Sequence, residues 1–260
     1  MSGGEVLTII DALEAADIQS VLAKHENTTS FMAESARHRT GAQSISVATV
    51  CLRALNGVNA VADVHQHRVR MIVIAGAVDA DEAHPDTHQV LDQTAVFTPI
   101  TKASFTFIAG AAHIIADKAV SIALEGRPGP VHIDLSIAVA VVQVPATAPF
   151  ARAPAAPVIP TPNILEQAAD WLSAANRPDI MSGFEAVTED AATTLTEMAE
   201  RFAIPVVKSY KAKGLLPEDR ALSLGVAGLS PLADTHLLQL IKQANLIICA
   251  SYGPIEMRPG

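Results

Sequence analysis

One carboxylate stands out by its setting. Glu26 lies in the run Lys24-His25-Glu26-Asn27, after the short apolar stretch at residues 18–22. Residues 27–39, which follow, are expected to run as a helix, with Asn27 or Thr28 as its N-cap. With a strand at 18–22, Glu26 stands where a strand ends and a helix begins. In parallel α/β sheets ligands bind at that edge, because strand carboxyl ends and helix N-termini converge there. A carboxylate so placed can pass one proton to and from a bound molecule. It can equally be a solvated first-turn acid, favoured there by the helix dipole and nothing more.

The other chemically capable residues form no comparable pattern. His65 and His67, or His84 and His88, suggest metal ligands, but residues i and i+2 of a helix point to different sides. Neither pair has the Cys or carboxylate spacing of a zinc site, so both read as solvated and no metal ligand is assigned. Cys51 and Cys249 offer no disulfide framework and suit a reducing compartment; Cys51 reads as a small packed residue. No GxGxxG or Walker pattern occurs. A net charge of −9 argues against nucleic acid as a partner. Neither a signal peptide nor an apolar run of membrane-spanning length is visible, and the expected location is the cytoplasm.

The elements that must position Glu26 alternate in the manner of a doubly wound α/β fold. After the strand at 18–22 and helix 27–39, the pattern predicts strand 45–50, helix 52–64, the near-continuous apolar strand 71–76, helix 110–124 and strand 131–135. Residues 144–162, VPATAPFARAPAAPVIPTP, are rich in proline and alanine and read as an inter-domain linker. A second α/β pattern follows, with helices at 163–175, 189–202 and 233–244 and strands near 180, at 204–208 and at 246–250. The expected domains are therefore 1–143 and 163–260, joined by 144–162. No strand precedes the amphipathic helix at 6–16, so the first domain reads as lacking its first strand and helix, and the second as ending early.

Five segments, KHENTTSFMAE, RVRMIVIAG, HQVLDQTAVFTPITK, GRPGPVHIDL and PVVKSYKAKGLLPED, occur in an order and spacing that resemble thiamine-diphosphate-dependent enzymes of the acetolactate synthase group. The resemblance implies a pyrimidine-binding domain followed by a Rossmann-like central domain. It implies that Glu26 is the catalytic acid/base, bonded to the cofactor's aminopyrimidine nitrogen and favouring its imino tautomer. Asn56 and Gln89 match amides that bind near the pyrimidine, where a group that both donates and accepts is apt. The implied reaction is decarboxylation and carboligation of a 2-oxo acid such as pyruvate.

Two features depart from the family's pattern. Where the family has Gly-Pro-Gly, this chain has Cys51-Leu52-Arg53, whose side chains are expected to crowd the site. The family's Gly-Asp-Gly and Asn motif, which holds the diphosphate and Mg²⁺ in a third domain, does not occur, so the chain is expected to hold at most half of an active site. FAD is compatible with the second domain but unsupported, because Ser182-Gly183-Phe184-Glu185 offers one glycine and an acid where a pyrophosphate would lie. The expected partners are a homo-oligomer or a chain that carries the diphosphate-binding domain. The alternative reading is a non-catalytic nucleotide-binding or assembly module, or an inactive copy.

Overall fold

The computed structural model describes residues 3–79, 81–82, 90–148, 158–188, 191–253 and 256. The chain forms two compact units, Met1–Ala156 and Pro157–Gly260, divided inside the Pro/Ala-rich segment. Each is an α/β domain built on a four-stranded, wholly parallel sheet. No helix among the described residues is long and apolar enough to cross a membrane.

In the first unit the order is α1 (Leu7–Ala15), α2 (Glu26–Thr40), β1 (Ser44–Ala48), α3 (Leu52–Leu55), α4 (Val58–Gln66), β2 (Met71–Ala77), α5 (Gln93–Phe97), β3 (Ala103–Thr106), α6 (Ala112–Leu124), β4 (Pro130–Ser136) and α7 (Ile137–Ala140). The sheet order is β1-β2-β4-β3. β2 is apolar on both faces, and alternate side chains enter two cores. Met71, Val73 and Ala75 pack with Val61 and Val64 of α4, while Ile72 and Ile74 pack with Ala119 and Ala123 of α6. This sandwich fixes the carboxyl ends of β1, β2 and β4 relative to α4.

Three local expectations are corrected. Residues 18–22 form no strand, and Val21 and Leu22 are exposed. Their composition suits a strand, and β1 is an edge strand that pairs only with β2, yet the segment passes near Ile45 and Val47 without forming a ladder with β1. The expected helix 52–64 is broken into α3 and α4 at Asn56-Gly57, where α4 restarts with Asn27 Oδ1 accepting from Ala60 N at 3.0 Å. Asn27 thus serves the start of α4, while the N-cap of α2 is His25, whose Nδ1 accepts from Asn27 N at 3.2 Å.

The second unit runs α8 (Pro162–Ala174), β5 (Pro178–Ser182), α9 (Phe184–Thr188), α10 (Ala192–Phe202), β6 (Val206–Ser209), β7 (Ser223–Ala227), α11 (Pro231–Ile241) and β8 (Leu246–Ala250), with sheet order β7-β6-β5-β8. Ile180, Ile204 and Val206 pack under Ala199 of α10 on one face, and Val207 and Ala227 under Leu237 and Ile241 of α11 on the other.

Candidate functional site

The inward stripe of α2 is polar. Glu26, Ser30 and Glu34, spaced at i, i+4 and i+8, are its buried residues. Burying such groups is costly unless each finds a partner. Ser30 Oγ lies 3.0 Å from Ser46 Oγ of β1, and Glu34 Oε1 lies 2.8 Å from Nδ1 of His67, the C-cap of α4. Glu26, only 2% exposed, accepts from Asn56 Nδ2 through Oε2 at 3.3 Å. Its other oxygen, Oε1, is buried with no hydrogen-bond partner among the described residues. A buried carboxylate with one oxygen anchored and one bare suits a ligand that brings its own donor.

The structure therefore brings Glu26 and Asn56 together, although 30 residues separate them. Gln89 lies outside the described residues. A different glutamine, Gln93 at the start of α5, knits the adjoining strand ends. Its Oε1 accepts from Cys51 N at 3.1 Å, and its Nε2 donates to Gly76 O and to Asp134 Oδ1, each at 2.9 Å. Asp134 Oδ2 takes a further bond from Thr94 Oγ1 at 3.1 Å. The ends of β1, β2 and β4 are thus joined through one buried amide. Behind it His132, fully buried, stacks on Phe97 at 4.3 Å between ring centroids and shares a 2.5 Å hydrogen bond with Ser104 Oγ. Sequence reasoning passed over Gln93 because a lone polar residue opening a five-residue helix carries no periodic signal.

The turn after β1 differs from the expected crowding. Cys51 is buried and holds φ 51°, ψ −113°, a conformation that favours glycine. Leu52 is 64% exposed, and Arg53 is exposed as well. The nearby carboxylate that Arg53 perturbs is Glu5, where it adds to a larger effect of the Thr49 hydrogen bond in holding the pKa down. The departure from a glycine turn is therefore felt in the backbone at Cys51.

In the second unit, the corner after β5 is closed. A Cβ on Gly183 would come within 2.3 Å of Ser251 O. Glu256, only 2% exposed, accepts from Phe184 N at 2.7 Å, Gly253 N at 2.8 Å and Ser209 Oγ at 2.5 Å. A carboxylate of the chain itself holds the amides that a phosphate would use, so this corner does not fit the pyrophosphate of FAD.

A parallel α/β domain with a buried carboxylate and amide at its strand ends, followed by a second parallel α/β domain, defines the class. A family model described as the thiamine pyrophosphate enzyme N-terminal TPP binding domain matches residues 1–96, and one described as the central domain matches residues 165–253. The chain belongs to the thiamine pyrophosphate enzyme family. It is 31% identical over 251 residues to the acetolactate synthase isozyme 1 large subunit of Escherichia coli, covering 95% of this chain and 44% of that protein. It is 30% identical over 250 residues to a probable acetolactate synthase large subunit of Methanocaldococcus jannaschii, covering 87% and 40% respectively. An acetolactate synthase large subunit of Parasynechococcus marenigrum is 32% identical over 239 residues. The chain thus spans less than half the length of these relatives.

Proposed function

We propose that this chain supplies the pyrimidine-binding half of a thiamine-diphosphate enzyme that decarboxylates and ligates a 2-oxo acid such as pyruvate. The observation that carries the reading is the state of Glu26, buried, tied to Asn56 by one oxygen and, among the described residues, unpartnered at the other. Thiamine diphosphate, when bound, supplies the electron sink for loss of carbon dioxide. Asn56 fixes the orientation of the Glu26 carboxylate, and Oε1 is left to exchange a proton with a ring nitrogen. Burial strengthens that contact by excluding competing water. The names of the relatives support the substrate class. The diphosphate and Mg²⁺ fall to a separate domain, on a longer polypeptide or a partner chain, within a homo-oligomer or a complex of two chains.

A second reading, a non-catalytic assembly module or inactive copy, is favoured by Cys51 standing in a glycine conformation. The test supplies a diphosphate-binding domain from a relative, fused or in trans, and follows pyruvate consumption. Changing Cys51-Leu52-Arg53 to Gly-Pro-Gly should raise the activity. In that background Glu26→Gln should lower it by about 10²-fold or more, the usual loss for an acid/base group. A Glu26→Gln enzyme as active as its parent would overturn the assignment, and a repaired chain that binds the cofactor without turnover would favour the second reading.

A further inference from the structure

The polar stripe of α2 ends in a second cluster, one that the proposed function does not use. Glu34 of α2, Asp63 of α4 and His67 at the C-cap of α4 present donor atoms that all lie within 4.8 Å of one another. His67 Nδ1 lies 2.8 Å from Glu34 Oε1 and 3.1 Å from Asp63 Oδ2. His38, one turn beyond Glu34 on α2, brings Nε2 to 3.7 Å from the same Oε1. Each helix thus contributes a carboxylate and a histidine spaced i and i+4, and the two pairs face each other.

We propose that this cluster is a binding site for a divalent transition-metal ion of the Zn²⁺ class. A single imidazole nitrogen carries at most one proton, yet Nδ1 of His67 meets oxygens of two carboxylates. A doubly charged ion at the centre of the group satisfies all three donors at once. The spacing is right for one, since metal–ligand bonds of 2.0–2.1 Å put tetrahedral ligand atoms about 3.3 Å apart. Nδ1 of His67 lies 2.8 and 3.1 Å from the two carboxylates, slightly closer than that value, and the optional fourth group His38 lies 3.7 Å from Glu34, slightly farther. One nitrogen and two oxygens, with His38 or a water in the fourth position, form a donor set suited to Zn²⁺ or Co²⁺. Glu34 is buried, while His67 and Asp63 are partly exposed, so an ion can reach the cluster from solvent.

The site would act on the fold at the Glu26 end as well. Contacts between α2 and α4 run in step, from Glu26 with Asn56, through Asn27 with Ala60, to Glu34 with His67. The two helices therefore lie parallel. A metal at their carboxyl ends clamps the pair about 12 Å along the axis from Glu26, eight residues at 1.5 Å each.

The experiment uses the full chain without an affinity tag, stripped with a chelator and titrated with Zn²⁺ by calorimetry and with Co²⁺ by visible absorption. One ion per chain is expected, with cobalt d–d bands and a raised unfolding temperature. His67→Ala should weaken binding at least as much as the 10–100-fold typical of losing a group that merely supports a ligand. His65→Ala, an exposed neighbour on α4 outside the cluster, should leave binding unchanged. If His67→Ala does not fold, the test passes to Asp63→Asn, on the more exposed side chain of the group, which should weaken binding at least tenfold. No stoichiometric binding by the native chain, or binding equally tight in the folded variants, overturns the proposal.

Discussion

Asn56 Nδ2 donates to Glu26 Oε2 across 3.3 Å and so ties the first residue of α2 to the break between α3 and α4. The bond supplies the partner found for that carboxylate, while Oε1 has none among the described residues. Removing it should expose how costly the buried charge is. Asn56→Ala is expected to destabilise the first unit by about 1–3 kcal/mol, the penalty for a buried acceptor without its donor. Asn56→Asp should do more, because two adjoining carboxylates cannot both ionise and the folded state must take up a proton. Since the folded form then binds more protons than the unfolded form, stability in the Asp variant should fall as pH rises through the raised pKa. Denaturant midpoints at several pH values check both, and an Asn56→Asp chain with the pH profile of Asn56→Ala would refute the contact.

How much of this was legible beforehand depends on whether the signal is local. β2 and β8 were readable because each is a compact apolar run, and β8 falls at 246–250 as expected. The strand expected at 18–22 had a similar local character but forms no ladder with the open edge of β1 nearby, and pairing is a property of the whole sheet. β3 and β7, four and five residues with mostly half-buried side chains, show too little contrast to be seen. The site divides in the same way. Glu26 could be singled out from its run, whereas Asn56 was reached only through the resemblance to the family's turn. Gln93 could not, since its importance lies in joining three strand ends. Nor could Glu34, Asp63 and His67, because the test for paired histidines looks along one helix and the cluster is made across two.

Cys51 gives a prediction that separates backbone strain from side-chain loss. At φ 51° and ψ −113° its Cβ sits in a region that costs a non-glycine residue about 1–3 kcal/mol. Cys51→Ala and Cys51→Gly both remove the thiol, but only the second relieves the strain. The glycine variant should therefore be the more stable, by about 1 kcal/mol. The ordinary order is the reverse, glycine being less stable than alanine by about 0.5–1 kcal/mol in a regular element. Chemical denaturation of the two variants side by side decides the matter, and an alanine variant more stable than the glycine one would mean that the turn has relaxed away from positive φ.

Glu5 offers the pH test. Thr49 Oγ1 donates to Glu5 Oε2, and this bond, followed by the residue's own backbone N–H and the charge of Arg53, holds the carboxyl below its ordinary value of 4.5 against an opposing effect of burial. A carboxylate whose folded pKa is lowered stabilises the fold above its unfolded pKa, and loses that contribution as pH falls through the folded one. The stability of the first unit should therefore include an acid-sensitive part that is complete above pH 4.5 and declines below it. Thr49→Val removes the leading cause, so the Glu5 pKa should move back up and the decline should become shallower. The carboxyl carbon of Glu5, followed by NMR through an acid titration, reads the first effect, and unfolding temperatures over the same range read the second. If Thr49→Val leaves the Glu5 titration where it was, the hydroxyl is not what holds the carboxylate, and the backbone N–H with the Arg53 guanidinium would have to carry the shift.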